Sequence, residues 1–264
     1  MWVKKSLRNA RERGDFSIVN SETRGIWDAN SSWWSKNVEK GNFPEYSKII
    51  IPLTKELFAQ KKLVLDLGTG SGILAKRIMD GLATNIVGLD LSLMQLQKAT
   101  ENNFGPSYLQ SNSGELPFKS GVFDGLLASM VLEHIGSLQD TVNEIARVLQ
   151  PGGLFVAVMN HPVFQTPGSG PVSSHNLDSD GMGWKVGNYL IESSEIEEIS
   201  NGIYIPYEHR TISTYLNTFL EHGFQLQRVL EPSLIDQNEG TGNNQGSHAI
   251  PRLLVVILEK SLFA

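Results

Sequence analysis

The 264-residue sequence predicts an α/β fold built on a doubly wound, mostly parallel sheet. Three observations support this fold class. From Lys61 onward, short apolar runs of strand length alternate with helical periodicities, a glycine-rich turn follows the first run, and two runs end in an aspartate. Parallel strands joined by helices bring such turns and acids to one edge of a sheet, where ligands bind.

The apolar pattern defines the elements in order. Leu93, Leu96 and Ala99 recur at helical spacing, and so do Leu138, Val142, Ile145 and Leu149. Pro151-Gly152-Gly153 ends the helix predicted at 138–149. The predicted strands are 63–66, 85–90, 121–128, 154–159, 224–230 and 252–259, and the predicted helices are 73–79, 93–99, 138–149 and 213–222.

The regular pattern fails between residues 160 and 210, which contain four prolines and many glycines and serines. A loop of that length without structure is unusual inside a domain, so the segment predicts a small lid. We therefore expect an N-terminal helical cap at 1–45, a core at 46–160 and 211–264, and a substrate lid at 161–210. An Asn/Gln/Gly-rich segment at 236–247 predicts a loop within that core.

Composition excludes several classes of function. The chain has no cysteine, which excludes disulfides, thiolate metal sites and a cysteine nucleophile. Its net charge of −6 disfavours non-specific nucleic-acid binding. The basic segment 1–15 has no continuous apolar stretch, and the longest apolar runs are only strand-length. We expect a cytoplasmic protein without stable membrane insertion, with the basic segment as a solvated arm.

The most informative motif is Asp66-Leu67-Gly68-Thr69-Gly70-Ser71-Gly72. A dinucleotide fingerprint requires a small residue at position 73, but this chain has Ile73 and its third glycine at position 72. A carboxylate just before the turn would repel a pyrophosphate, yet it suits a ligand with an ammonium and a sulfonium group. S-adenosylmethionine carries both. Asp90 follows Gly70 by 20 residues and suits the hydroxyls of a ribose.

Further motifs follow in the order and spacing of a known family. They are Gly88-Leu89-Asp90-Leu91-Ser92, Gly114-Glu115-Leu116-Pro117-Phe118, Phe123-Asp124, Val131-Leu132-Glu133-His134 and Leu149-Gln150-Pro151-Gly152-Gly153. With the glycine motif, they make residues 61–159 resemble the class I S-adenosylmethionine-dependent methyltransferases, in the small-molecule group related to ubiquinone and menaquinone methyltransferases. This resemblance implies a Rossmann-like sheet of seven strands in the order 3-2-1-4-5-7-6, the last antiparallel, with S-adenosylmethionine as cofactor and S-adenosylhomocysteine as product.

The resemblance also implies roles for individual residues. Asp66 and the turn residues would line the methionine moiety, Asp90 would bind the ribose, and Leu91 would lie against the adenine. Asn112 stands where relatives usually have an acid that reaches the adenine amino group, and its amide oxygen can still accept that hydrogen bond. The full set of predicted cofactor residues is Asp66, Gly68, Thr69, Gly70, Gly72, Asp90, Leu91, Asn112, Ser113, Gly114 and Ser129.

Candidates for the acceptor side come from the chain around the core. His161 follows the fifth strand at its carboxyl edge, and His209 lies in an aromatic-x-His-Arg run that related methyltransferases often show, so both are predicted catalytic residues. Predicted substrate-binding residues are Trp33, Trp34, His134, Tyr207 and Arg210. Trp33 and Trp34 fit equally well as a packed helix face. No pair of histidines has metal-ligand spacing with a carboxylate, so we predict no metal.

The expected reaction is methyl transfer to a small molecule, on oxygen or carbon rather than nitrogen. The fourth strand ends in Ser129-Met130-Val131-Leu132 and lacks the Asn-Pro-Pro-Tyr pattern used for amide and base-amino groups. Alternatives are a protein or RNA methyltransferase, an NAD-linked oxidoreductase, and a non-catalytic protein with a cofactor fold. We expect a monomer or homodimer with a small-molecule substrate and no nucleic-acid partner.

Overall fold

The computed structural model describes residues 16–102, 105–172, 183–233 and 250–262. Six α-helices lie in these ranges: α1 (Phe16–Glu39), α2 (Ile51–Phe58), α3 (Ile73–Met79), α4 (Leu93–Glu101), α5 (Leu138–Val148) and α6 (Ile212–Glu221). The strands are β1 (Leu63–Leu67), β2 (Asn85–Asp90), β3 (Ser107–Gln110), β4 (Phe123–Ser129), β5 (Leu149–Asn160), β6 (Gly170–Val172), β7 (Gly183–Lys185), β8 (Ser193–Ser200), β9 (Ile203–His209), β10 (Phe224–Leu230) and β11 (Leu253–Lys260). A π-helical turn covers Tyr46–Ile50 and a 3₁₀ turn covers Leu132–His134.

Seven of these strands form one sheet in the order β10-β11-β5-β4-β1-β2-β3. Strands β1 to β5 pair in parallel, and β11 is antiparallel to both β5 and β10. Because β10 and β11 are the sixth and seventh strands of this sheet, the predicted order 3-2-1-4-5-7-6 with an antiparallel last strand is confirmed. The fold is Rossmann-like.

Apolar side chains cover both faces of the sheet, because the central strands are buried on both sides. Leu126 and Leu127 are adjacent in β4 and belong to the core clusters on opposite faces. On one face, Phe219 of α6 meets Phe155 of β5 edge to face, with ring centroids 5.4 Å apart. On the other face, Phe58 of α2 is fully buried. This packing holds the carboxyl ends of β1, β2 and β4 at one edge.

Helix α1 packs across the core beside α4. The Ser92 hydroxyl, at the N-cap of α4, donates to Asp28 of α1 at 2.6 Å, and Lys98 Nζ donates to Ser32 Oγ at 2.9 Å. At the other side, Asn30 Nδ2 donates to the Tyr204 carbonyl at 2.6 Å. Helix α1 therefore contacts both the sheet domain and the β8–β9 hairpin.

The irregular segment after β5 forms two antiparallel hairpins among its described residues, β6–β7 and β8–β9. The division into cap, core and lid stays a prediction, because secondary structure alone does not define independent units.

Two differences from the sequence analysis concern strands β3 and β5. No periodic signal indicated β3, whose four residues are mostly exposed at the sheet edge. Strand β5 begins at Leu149, since the chain turns directly from α5 into the strand, with Gly152 at φ +74°. Predictions for segments 1–15 and 236–247 lie outside the described residues.

Among the described helices, none combines the length and the apolar character required to cross a membrane.

Candidate functional site

A tight turn after β1 forms the floor of the site. Gly68, Gly70 and Gly72 have φ values of +74°, +57° and +74°, a region that side chains strongly disfavour. The Gly68 and Thr69 N–H groups donate to the Leu89 carbonyl at 2.7 and 3.0 Å. A Cβ on Gly68 would lie 2.5 Å from Val131 Cγ2, so only glycine fits there. The turn thus exposes backbone at the carboxyl edge of the sheet.

Asp66 lies buried directly before this turn, with 2% of its surface exposed. Burial, together with the charge of Asp90, raises the pKa of Asp66 to about 7. The nearby Thr69 hydroxyl lowers this pKa in part, although it is not positioned to form a hydrogen bond with Asp66. Asp66 Oδ2 and Thr69 Oγ1 both lack a hydrogen-bond partner among the described residues.

Asp90 ends β2 and is held by backbone donors. Its Oδ2 accepts from the Gly70 N–H and its Oδ1 from the Ser92 N–H, both at 2.8 Å. Burial raises the pKa of Asp90 to about 6, and these two hydrogen bonds oppose the rise while the charge of Asp28 adds to it. Each oxygen keeps a lone pair, so the carboxylate can accept from two adjacent hydroxyls.

A cavity of about 640 Å³ opens over the turn, within the size range of small-molecule sites. Eight of the predicted cofactor residues line it: Gly68, Gly70, Asp90, Leu91, Asn112, Ser113, Gly114 and Ser129. The other three, Asp66, Thr69 and Gly72, are not among its lining residues. The structure therefore brings together residues that are up to about 60 positions apart in sequence.

Unsatisfied polar atoms test whether S-adenosylmethionine fits this site. Buried polar groups usually have partners, and an orphan near a cavity indicates a group that a ligand can satisfy. Ser129 Oγ lines the cavity and is such an orphan, and Asp66 Oδ2 is a second one beneath the turn. A buried acid, a hydroxyl and the ribose-type carboxylate of Asp90 match the ammonium and diol groups of this cofactor.

The segment after β3 forms the far end of the cavity. Asn112 Oδ1 accepts from the Gly114 N–H at 3.1 Å, and the Ser113 and Thr141 hydroxyls lie 2.9 Å apart. These contacts fix the loop, and the Asn112 oxygen keeps a second lone pair for an amine.

The opposite end is aromatic. Trp27 and Trp34 of α1 line the cavity with ring centroids 6.0 Å apart, and the ring of His134 lies 5.1 Å from that of Trp27. His134 Nδ1 contacts the Pro206 carbonyl at 2.7 Å. A carbonyl only accepts, so Nδ1 carries the proton and neutral His134 has its lone pair on Nε2.

The two predicted catalytic histidines lie elsewhere. His209 is 1% exposed, its Nε2 donates to the Tyr189 carbonyl at 2.9 Å, and it does not line the cavity. His161 Nε2 contacts Glu231 Oε1 at 2.8 Å, and burial lowers the pKa of His161 against the opposing effect of Glu231. Each ring thus has a local partner, Tyr189 before β8 for His209 and Glu231 after β10 for His161, which motif position alone did not reveal.

Three predicted substrate residues also face away from the cavity. The Arg210 guanidinium donates to the carbonyls of Leu132, Ile135 and Gly136, and Tyr207 is 4% exposed in the core. Trp33 packs against Phe43, with ring centroids 6.4 Å apart. Arg210 thus braces the segment that carries His134, whereas Trp34 and His134 are the predicted substrate residues that line the cavity.

The structure adds lining residues that the sequence analysis missed. They include Thr23, Trp27, Tyr46, Gln95, Met130, Ser194 and Glu208. Burial, with the charges of Glu133 and Asp66, raises the pKa of Tyr46 above its ordinary value, so its phenol remains a donor. Met130 has φ +55°, a strained conformation for a side-chain-bearing residue that is typical of functional sites. Only the aromatic segment around Trp27 and Tyr46 gave any sequence signal.

Within the described residues, no group of three or more His, Asp or Glu side chains is arranged to hold a metal ion.

Comparisons with known proteins agree with this geometry. Residues 65–157 match the family described as methyltransferase domain. The chain is 30% identical over 173 residues to the ubiquinone/menaquinone biosynthesis C-methyltransferase of Wigglesworthia glossinidia brevipalpis, covering 62% of this chain and 65% of that protein. It is 34% identical over 113 residues to an uncharacterized methyltransferase of Synechocystis, covering 42% of this chain and 53% of that protein.

Among solved structures, an S-adenosylmethionine-dependent methyltransferase from Mesorhizobium loti shares the fold, with a TM-score of 0.66 and 24% identity over 79% of this chain and 96% of that one. The chain spans about half the length, or less, of several curated methyltransferases that it matches.

Proposed function

We propose that the chain is a class I S-adenosylmethionine-dependent methyltransferase that transfers a methyl group from that cofactor to a small molecule, as its similarity to a methyltransferase domain and to curated methyltransferases supports. One observation carries the proposal. A single cavity joins the glycine turn and Asp90 at one end to Trp27, Trp34 and His134 at the other. A cofactor and an acceptor can thus meet inside one cavity, which is what positioning for an in-line displacement requires.

The cofactor half of the cavity has a place for each part of S-adenosylmethionine. We assign the ribose hydroxyls to Asp90, the adenine to Leu91 and Asn112, and the methionine end to the Gly68–Gly70 backbone and Ser129. Asp66 contributes negative charge from beneath the turn. When bound, the cofactor supplies an electrophilic methyl group on a sulfonium that leaves as a thioether.

His134 is our candidate for the general base. Its Nδ1–H is committed to the Pro206 carbonyl, which leaves Nε2 unprotonated in the neutral ring, and the ring lines the cavity. Nε2 would take the proton that the acceptor atom loses as its lone pair forms the bond to the methyl carbon. Arg210 supports this role by holding the carbonyls on either side of His134.

The resemblance to quinone methyltransferases favours oxygen or carbon as the methylated atom, and a base beside the acceptor suits both. That preference is an analogy with relatives. A cytoplasmic location and a monomeric or homodimeric state stay predictions from the sequence.

Thermal denaturation with different cofactors tests the proposed class. S-adenosylmethionine and S-adenosylhomocysteine should each increase the free energy of unfolding by RT ln(1 + [L]/Kd) and so raise the Tm. NAD should not. The Asp90→Ala variant should lose most of the effect. Stabilisation by NAD alone would contradict the proposal and would favour an oxidoreductase.

A further inference from the structure

Tyr46 places a phenol ring at the cavity, near the start of a helical stretch. It is the first residue of the π-helical turn Tyr46–Ile50, which continues directly into α2. The centroid of its ring lies 6.3 Å from that of Phe43, and the ring packs against the core cluster that contains Ile50 and Phe58. Because Tyr46 also lines the cavity, these contacts hold its ring at the edge of the site.

Two buried acids act on the Tyr46 hydroxyl. Asp66 and Glu133 are each 2% exposed, and their charges add to the effect of burial in raising the pKa of Tyr46. The phenol therefore keeps its proton. Asp66 Oδ2 and Glu133 Oε2 have no hydrogen-bond partner among the described residues, so the Tyr46 hydroxyl donates to neither of these oxygens. Tyr46 thus offers the cavity a neutral donor.

Ser129 offers a second donor on the neighbouring strand. Leu67 pairs with Ala128 across β1 and β4, which sets Ser129 beside Gly68 at the start of the glycine turn. Ser129 is 7% exposed and lines the cavity, and its Oγ has no hydrogen-bond partner among the described residues. Buried hydroxyls usually have partners, so this one indicates a ligand group that can accept its proton.

The methionine moiety of the cofactor carries a carboxylate as well as an ammonium group. The charge of Asp66 suits the ammonium. The carboxylate finds no cationic partner among the described lining residues, which include neither lysine nor arginine. Neutral O–H donors bind a carboxylate through charge-assisted hydrogen bonds, and the start of a helical stretch also favours negative charge. Tyr46 and Ser129 supply such donors.

We infer that the Tyr46 and Ser129 hydroxyls hold the carboxylate of the cofactor's methionine moiety. The inference rests on the proposed methyl transfer from S-adenosylmethionine, and it names the group that each hydroxyl binds. Asp66 attracts the ammonium group on the same carbon atom, so the two charges of the methionine moiety have different partners.

Calorimetric titration with three thioethers tests the inference. They are S-adenosylhomocysteine, its decarboxylated analogue adenosylthiopropylamine, and its deaminated analogue adenosylthiobutyrate. Tyr46→Phe should raise the Kd about tenfold for the two ligands that carry the carboxylate, which is the loss expected for one charge-assisted hydrogen bond. The Kd for the decarboxylated analogue should stay within about twofold. Because that analogue also has a net positive charge among acids, the change between variants is compared, and not the absolute affinity.

Further variants provide a second test and a control. Ser129→Ala should show the same pattern as Tyr46→Phe, and it tests the carboxylate site independently if Tyr46→Phe does not fold. Tyr204→Phe removes a hydroxyl from a ring that is 44% exposed on β9 and should leave all three Kd values unchanged.

The inference is wrong if Tyr46→Phe and Ser129→Ala change the Kd values of all three ligands equally, or change none of them. Failure of the unmodified protein to bind either S-adenosylmethionine or S-adenosylhomocysteine would instead contradict the proposed function.

Discussion

Tyr108 and Gly88 pair directly across β3 and β2, and the Tyr108 ring occupies the space that a side chain at position 88 would need. A Cβ on Gly88 would lie 2.7 Å from Tyr108 Cδ1, and one on Gly72 would lie 2.2 Å from the Tyr108 hydroxyl. The ring therefore crosses one glycine and ends against another, at the turn that carries the cofactor contacts. Burial, then the charge of Asp66, raises the pKa of Tyr108 to about 12.

Gly88→Ala should destabilise the protein by about 1–3 kcal/mol, because the added methyl group overpacks the site between Tyr108 and Thr69. Tyr108→Ala in the same chain should recover part of this loss, since the contact with Thr69 remains. Chemical denaturation of the two single variants and the double variant measures the coupling. Gly25→Ala, with no atom within 4 Å of the new Cβ, is the control and should not destabilise. Strict additivity of the two changes would disprove the contact.

Asp66 should make the ligand-free protein less stable as pH rises. Its folded pKa of about 7 exceeds the ordinary value of 3.8, so the folded state binds more protons between these pH values. The destabilisation is absent below about pH 4 and complete above pH 7, where it amounts to about 4 kcal/mol. Asp66→Asn removes this ionisation. In denaturant titrations, the free energy of unfolding of the variant should increase relative to that of the natural chain as the pH rises from 5 to 8. If this difference between the two proteins is the same at every pH in that range, the raised pKa is refuted.

The affinity for the cofactor should rise with pH, whereas the stability of the ligand-free protein falls. Ionised Asp66 and Asp90 favour a ligand with a positive ammonium group, and their pKa values of about 7 and about 6 place the change between pH 5.5 and 8. Calorimetric titration with S-adenosylhomocysteine should therefore give a lower Kd at pH 8 than at pH 5.5. Asp66→Asn should flatten part of this dependence, although it stabilises the ligand-free protein. A Kd independent of pH would show that neither acid is coupled to binding.

Much of the fold could be predicted because its elements carry local signals. Helix α3 and strands β2 and β10 match their predicted bounds, as apolar periodicity and turn residues define them. The residues at the cofactor end of the cavity could likewise be predicted from the sequence, since a glycine turn and an acid at a strand end lie close in sequence. The residues at the acceptor end could not be predicted, because α1 and β9 meet there only through long-range packing. Nothing local to His209 distinguishes a buried ring bonded to Tyr189 from a base facing a substrate.

Arg210→Met should act on stability and on the His134 segment rather than through a lost substrate contact. The guanidinium donates at 2.6–3.1 Å to three carbonyls, of which the Leu132 carbonyl also accepts from the Ile135 N–H at 3.4 Å, and losing these hydrogen bonds should cost about 2–4 kcal/mol. Arg228→Met, on the exposed face of β10, is the matched control and should cost little. Equal midpoints for the two variants in a urea titration would show that Arg210 does not brace the segment.

Replacing His134 by glutamine and replacing His209 by glutamine should have different effects. His134 lines the cavity and its Nδ1 is bonded to the Pro206 carbonyl, so His134→Gln should lower kcat by about 10²–10⁴-fold and leave the Kd for S-adenosylhomocysteine nearly unchanged. His209 is buried against the Tyr189 carbonyl, so His209→Gln should lower the unfolding midpoint while kcat per folded molecule stays within about twofold. Single-turnover rates with S-adenosylmethionine and a methyl acceptor, measured beside denaturation curves, give both quantities. A large fall in kcat for His209→Gln without loss of stability would restore His209 as the base, because a residue that only supports the fold cannot slow the chemical step in protein that remains folded.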